Sequence, residues 1–393
     1  MKALVWNGIN NLNVETVNDP GIVSPHDAIV KVGLSSVCGS DLHLLDGYVP
    51  SMREGDVIGH EFMGEVIEIG SAVQKLKKGD RVVVSSVVGC GECHYCQNQS
   101  WSLCDNSNTH PWIAEKAYGY AGAGIYGYSH AFGGYAGSHA EYIRIPFADN
   151  GAFKVPEQLT DEQVLFCSDA FPTGYMAADM ADIQPGDIVA VWGCGGVGQM
   201  AIRSAWLLGA ERVIAIDRFP ERLAMAKTFG KAEVLNYEKV DIQDTLREMT
   251  GGRGVDRCID AVGMEAHTTG IEQVYDRVRH ALHVATDRPA VLRQAVIACR
   301  KGGTVSIVGV YGGLIDKFPM GAAMNKGLTF KMGQMHGQKY IPKLIEHVLN
   351  GDVDPSYLLT HKWSLNQGPE GYKMFKEKQD NCMRVAFSPS LML

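Results

Sequence analysis

From residue 1 to about 155, apolar and polar positions alternate in short runs separated by Gly, Pro and Asp. MKALVWNGINNLNVETV alternates from the start. Ala28-Ile-Val-Lys-Val-Gly33, Gly64-Glu-Val-Ile-Glu-Ile69, Asp80-Arg-Val-Val-Val84 and Ala140-Glu-Tyr-Ile-Arg-Ile145 follow. A period of two marks strands with one buried face, and this spacing predicts an all-β, barrel-like unit. From about residue 161 the pattern changes. Buried runs Ile188-Val-Ala-Val-Trp192, Arg212-Val-Ile-Ala-Ile216, Arg257-Cys-Ile-Asp260 and Thr304-Val-Ser-Ile-Val308 alternate with helical segments. That order predicts an α/β unit with a parallel sheet and crossover helices. Beyond about residue 335, Tyr340–Leu349 reads as a helix, and the tail is mixed and suited to packing on either unit. The expected boundaries are 1–155, 156–335 and 336–393. Residues 111–139, rich in Gly, Tyr and His, read as a long ordered loop, and such loops usually carry function.

A chain of 393 residues exceeds what one core usually covers, in keeping with two domains. Its net charge of -8 argues against nucleic acid or an anionic membrane as partner. The N-terminus has no basic segment leading into an apolar run, and the apolar runs are too short to cross a bilayer, so a cytoplasmic protein is expected. In a reducing compartment its ten cysteines serve as thiols, ligands or core rather than disulfides.

Three stretches carry chemistry. Trp192 ends a strand, and Gly193-Cys-Gly195-Gly196-Val197-Gly198 follows, opening a helix over Gln199–Leu208. The first glycine makes the turn, the second lets backbone approach a pyrophosphate, and the third lets helix and strand pack closely. Asp217 ends the next strand, where a carboxylate accepts from both ribose hydroxyls of NAD and repels the 2′-phosphate of NADP. Arg218 beside it is able to welcome that phosphate, so the expectation is NAD first. Second, Cys90, Cys93, Cys96 and Cys104 have spacing C-x2-C-x2-C-x7-C, which suits a closed tetrahedral zinc site and fits an iron–sulfur run poorly. Third, Cys38-Gly-Ser40-Asp41-Leu-His43 and Gly59-His60-Glu61 offer two zinc ligands, Cys38 and His60, with carboxylates Asp41 and Glu61 to support them.

These motifs, in this order, resemble the zinc-dependent medium-chain alcohol dehydrogenase superfamily over about residues 1–388. The resemblance implies a GroES-like β domain carrying two zinc ions, a Rossmann domain binding NAD(P), and a C-terminal segment that rejoins the first domain. Leu103-Cys-Asp-Asn-Ser-Asn108, Ala140-Glu-Tyr142, Ser168–Tyr175 and Leu282-His-Val-Ala-Thr-Asp287 are similar to the glutathione-independent formaldehyde dehydrogenases. By that pattern Asp169, four residues before Thr173-Gly174, is the third ligand of the catalytic zinc. Cys167, on the same face if the segment is a strand, and Glu61 stay open as rivals.

The resemblance also makes Ser40 and His43 a proton path, has Asp41 orient His60 and puts Glu61 behind the metal. Thr173, Arg222, Val262 and Val308 join the cofactor residues. It implies an oxidoreductase that moves a hydride between an alcohol or hydrated aldehyde and NAD, in a homo-oligomer of two or four subunits; Leu328–Met332 is a candidate interface. A polyol, amino-alcohol or secondary-alcohol dehydrogenase is the alternative on the same scaffold. A non-catalytic NAD-binding or zinc-stabilised protein is a third reading, disfavoured because a binder needs no proton path. The family's Gly-Gln before Ala-Glu-Tyr is Ser138-His139 in this chain, and residues 264–290, a polar insertion, are expected beside the adenosine.

Overall fold

The computed structural model describes residues 1–265, 290–312, 315 and 317–391. The segment Leu282–Asp287 and nearly all of the expected insertion lie outside the described residues. The chain divides into two compact units, Met1–Pro172 with Met335–Leu393, and Thr173–Gln334. The C-terminal segment therefore belongs with the first unit. The first junction falls at 172/173 rather than 155, because helix Asp161–Leu165 and the 3-10 turn Phe166–Ser168 pack on strand Glu61–Ile69 of the first unit.

In the first unit the N-terminal run forms a separate three-stranded sheet of Leu12–Thr16, Lys2–Trp6 and Asp56–Val57, and the later alternating runs join one seven-stranded sheet. Strands Ala152–Lys154, Arg81–Val84, Glu61–Ile69, Ala28–Ser36, Arg384–Ser388 and Leu359–Ser364 lie side by side, and Tyr142–Ile145 also pairs with Ala28–Ser36. Val30, Val32, Phe62, Val66, Val82 and Val84 form a buried cluster from alternate positions of these strands. The register shifts between Val32 and Leu34, at Gly33, so the last turn of this long strand is re-aimed before it delivers Cys38. Strand Glu61–Ile69 delivers His60 from its N-terminal end.

Residues 111–139 are only partly loop. Pro111–Tyr118 is a helix with Pro at its first position and Gly119 at φ +80 ending it, and Gly124–Ile125 and His130–Phe132 are a short strand and a 3-10 turn.

The second unit is a six-stranded parallel sheet in the order Glu233–Asn236, Arg212–Asp217, Ile188–Trp192, Val255–Asp260, Cys299–Ile307, Thr329–Met332. Its four central strands are largely buried on both faces, as continuous apolar runs require, while the edge strands Glu233–Asn236 and Thr329–Met332 are more exposed. Ala190, Trp192, Ile214 and Ile216 pack on one side, and Val189, Val191, Val213 and Ala215 on the other. The segment Leu328–Met332 supplies the edge strand. Helix Gly196–Leu207 starts three residues earlier than expected, inside the glycine motif itself, with Gly195 as its cap. Among the described residues no helix is long and apolar enough to cross a membrane.

Candidate functional site

Helix Gly39–Leu45 carries one half of the Cys38 and His60 constellation. Asp41 is its third residue, and its Oδ2 accepts from the Cys38 backbone N–H at 2.9 Å, which closes the helix N-terminus and holds Cys38 just outside it. Asp41 Oδ1 lies 3.0 Å from His60 Nδ1. One buried carboxylate thus fixes the chain at Cys38 and the ring of His60. His60 Nε2 is turned the other way, 3.9 Å from Asp169 Oδ2, and Cys38 Sγ lies 3.7 Å from that same oxygen. Donor atoms of Cys38, His60 and Asp169 all lie within 4.8 Å of one another. Zinc bonds of about 2.0–2.3 Å give tetrahedral edges of roughly 3.3–3.8 Å, so the set fits a zinc ion. Ser40 Oγ stands 3.3 Å from His60 Nε2, beside this cluster. His43, on the same helix, is buried.

Charge supports the same reading. Burial opposes ionisation of Cys38, but the Arg384 guanidinium and the hydrogen bond with His60 outweigh it and hold the thiol below its ordinary value. Burial likewise opposes a charge on His60, yet Asp41 raises it well above the usual histidine range. A site that favours a thiolate and positive charge on this imidazole favours a cation at its Nε2.

Of the rivals, neither joins the cluster. Cys167 is fully buried in the 3-10 turn Phe166–Ser168, and burial pushes its thiol up to about 12. The alternation argument fails there because residues two apart share a face only in a strand. Glu61 Oε1 is instead 3.2 Å from Arg384 Nη2, and burial, only partly offset by Arg384, raises its carboxyl well above the ordinary range.

Two supporting groups are absent from the sequence-based expectations. Ser86 Oγ donates to Asp169 Oδ1 at 2.7 Å, leaving Oδ2 for the cluster, and the Ser86 backbone N–H donates to Ser168 O at 3.1 Å. Arg384 reaches Val37 O as well as Glu61. Neither carried a local signal, since Ser86, between two short strands, and Arg384, on a strand near the end of the chain, each meet partners distant in sequence. Ser86→Ala is expected to weaken binding of a metal at this cluster by about 10-fold to 100-fold, read by competition with a chelator.

The four-cysteine lobe closes on itself. Cys90 Sγ lies 3.9 Å from Cys96 Sγ, and Cys93 Sγ 3.9 Å from Cys104 Sγ, near the roughly 3.8 Å edge of a zinc tetrathiolate. A hydrogen bond from Cys96 pulls the Cys104 thiol down to about 4 while the same bond pushes Cys96 up, so the protons are shared unequally. A divalent cation is what lets all four ionise together.

In the second unit the expected cofactor residues gather at the C-terminal ends of parallel strands, where open α/β sheets bind ligands. Gly193, at φ +90, follows Trp192; a Cβ there would sit 2.7 Å from Val262. A Cβ on Gly198 would come within 1.8 Å of Gly193 O, so this glycine permits the close packing that the motif requires. Asp217 ends its strand buried, accepting from Cys194 N at 2.7 Å and from Arg218 N at 2.6 Å. Arg218 and Arg222 lie on the Phe219 ring, 4.6 and 4.9 Å from its centroid. Val262 and Val308 follow neighbouring strands, and Val308 N donates to Asp260 O at 3.0 Å. Thr173 opens the second unit; a Cβ on the next residue, Gly174, would meet Ala201 N at 2.6 Å, so this helix packs tightly on the one that starts at Gly196.

Comparison with known proteins gives a consistent result. Residues 24–157 match the alcohol dehydrogenase GroES-like domain, and residues 196–286 match the zinc-binding dehydrogenase domain. An uncharacterized zinc-type alcohol dehydrogenase-like protein, AdhB of Bacillus subtilis, is 43% identical over 99% of this chain and 100% of its own. The glutathione-independent formaldehyde dehydrogenase of the same organism is 32% identical, over 95% and 94%. The alcohol dehydrogenase TADH from Thermus sp. ATN1 superimposes with a TM-score of 0.84 at 34% identity, covering 99% of both chains.

Proposed function

The chain belongs to the zinc-dependent medium-chain alcohol dehydrogenase superfamily, and from that premise we propose that it is an NAD-dependent alcohol or aldehyde dehydrogenase with two zinc ions per chain. The observation that carries the proposal is the convergence of Cys38, His60 and Asp169 within 4.8 Å. Zinc held there would supply a Lewis acid that lowers the pKa of an alcohol hydroxyl, and NAD would supply the hydride acceptor. Cys90, Cys93, Cys96 and Cys104 would hold the other ion, in a closed set that leaves no position for substrate.

The remaining steps belong to side chains. Asp41 holds His60 by Nδ1 and so aims Nε2 at the cluster. Ser40 Oγ is the group placed to take the substrate hydroxyl proton. His43, three residues on and therefore on the same side of the helix, relays it outward. Glu61, tied to Arg384, stands behind the metal ligands. Gly193, Gly195, Gly196, Val197 and Gly198 receive the pyrophosphate, Asp217 the ribose, and Arg218, Arg222, Thr173, Val262 and Val308 the rest of the cofactor.

A formaldehyde dehydrogenase-like preference for small alcohols and hydrated aldehydes is supported by the motifs Leu103–Asn108 and Ser168–Tyr175 and by the 32% identical relative. The test is growth of absorbance at 340 nm with NAD and a panel of primary, secondary and polyhydric alcohols and formaldehyde. Activity confined to polyols or secondary alcohols overturns the substrate class, and none with any of them overturns the proposal. Because Asp217 faces the ribose, kcat/KM for NAD should exceed that for NADP by at least about tenfold, about 1.4 kcal/mol of discrimination. Asp217→Gly should narrow that gap, with Arg218 and Arg222 left to meet the phosphate.

A further inference from the structure

Asp260 ends strand Val255–Asp260 with its side chain fully buried. A buried carboxylate needs strong partners, and the oxygens of Asp260 meet hydrogen-bond donors rather than a cation. Oδ1 accepts from Val262 N at 2.9 Å and from Gly263 N at 3.0 Å, which fixes the turn that follows the strand. Oδ2 accepts from the Tyr311 hydroxyl at 2.7 Å. The backbone oxygen of Asp260 accepts from Val308 N at 3.0 Å and from Gly309 N at 2.9 Å. One residue therefore holds its own turn and the chain that leaves the neighbouring strand, Cys299–Ile307.

The two turns are in direct contact. A Cβ on Gly309 would come within 2.2 Å of Gly263 N, and Met264 N donates to Val310 O at 2.8 Å. On the other side Ala261 N donates to Trp192 O at 3.0 Å, so the same turn is tied to the strand that runs into Gly193.

Backbone pairing accounts for all of these ties except those made by the Asp260 side chain. Pairing of the two strands ends with Asp260 opposite Ile307, and Tyr311 lies beyond that pair. Its hydroxyl is what joins the departing chain to the carboxylate. An ionised carboxylate only accepts, so the phenol donates. Burial raises the Asp260 carboxyl above its ordinary value, and the bonds from Tyr311, Gly263 and Val262 oppose that rise. The Tyr311 ring packs on the apolar cluster that contains Trp192 and Ile307, so loss of the hydroxyl alone leaves the ring seated.

The strand order reverses at Ile188–Trp192, with Arg212–Asp217 on one side and Val255–Asp260 on the other. Each half of such a sheet takes one mononucleotide. Asp217 gives the first half the adenosine ribose, which leaves the nicotinamide mononucleotide to the half that starts with Val255–Asp260. We propose that Asp260 and Tyr311 are positioning residues for that nicotinamide half, holding turns 260–263 and 308–311 as one surface before the cofactor binds. This rests on the reading of the second unit as an NAD site. Without the phenol, the chain after Ile307 keeps its backbone bonds but has to be ordered as the dinucleotide docks, and that ordering is subtracted from affinity.

The test compares equilibrium binding of NADH and of ADP to the intact zinc-loaded protein by calorimetry. ADP carries the adenosine and both phosphates but no nicotinamide. Tyr311→Phe is expected to weaken NADH about tenfold and to leave ADP within about twofold of wild type. The ADP value also shows that the variant is folded. Equal factors for the two ligands, whether both unchanged or both weakened, would mean that the tie serves the sheet alone, and would overturn the inference. A wild-type protein that does not bind NADH overturns the NAD reading of the second unit, and the inference falls with it; the wild-type titration tells the two failures apart.

Discussion

Asp169→Ala is expected to leave a folded protein that holds zinc in the four-cysteine lobe and none at Cys38 and His60, so the content falls from two ions per chain to one. Asp169 contributes its Oδ2 to the cluster and nothing to the apolar core; its other oxygen is occupied by Ser86. Its removal leaves Cys38 and His60, and two protein ligands fall short of the three found in catalytic zinc sites. A Lewis acid contributes several kcal/mol to stabilising the developing alkoxide, and each 1.36 kcal/mol is a factor of ten. The fall in kcat/KM with any alcohol is therefore about a thousandfold or more. Metal analysis and steady-state kinetics on one preparation check both halves. Two zinc ions retained by the variant would contradict the assignment.

Arg384→Met should be the most damaging single change to stability. Arg384 is 2% exposed on strand Arg384–Ser388, with its guanidinium shared among Val37 O, the Glu61 carboxylate at 3.2 Å and the field of Cys38. Methionine replaces the stem and leaves Glu61, fully buried, without its counter-charge. Breaking a buried pair from one side costs about 3–5 kcal/mol, which for a unit of this size lowers Tm by on the order of 10 °C. Glu61→Gln in the same background should recover part of the loss, since the carboxamide carries no charge to be paired. Strictly additive losses in the double variant would mean that the ion pair is not what holds this region.

The parts of this account that were legible in the sequence are those whose geometry is local. The glycine run announces its own turn, because Gly193 at positive φ and Gly198 against Gly193 O are consequences of six consecutive residues. Cys90 to Cys104 are likewise within one short excursion of chain, so their spacing alone predicts a closed site. Cys38 and Asp41 are three apart at a helix start, where a carboxylate at the third position naturally caps. Asp169 was reachable only through the family pattern, and Cys167 stayed a rival because the turn at Phe166–Ser168 looks like a strand when read as a string.

Ser86 and Arg384 were out of reach for a different reason. The fold brings them to Asp169 and Glu61 from positions distant in sequence, and no local period encodes those contacts. The helix Pro111–Tyr118 was hidden by the Gly and Tyr content of its surroundings, although Pro111 and Gly119 mark its two ends.

The central claim is that a zinc ion sits between Cys38 Sγ, His60 Nε2 and Asp169 Oδ2. The most direct test is an anomalous-difference map of crystals of the zinc-loaded protein, recorded on both sides of the zinc absorption edge. The account predicts two peaks per chain, one enclosed by Cys90, Cys93, Cys96 and Cys104 and one bonded to those three atoms. A single peak in the cysteine lobe, or a second peak bonded to Cys167 or Glu61 in place of Asp169, would contradict it.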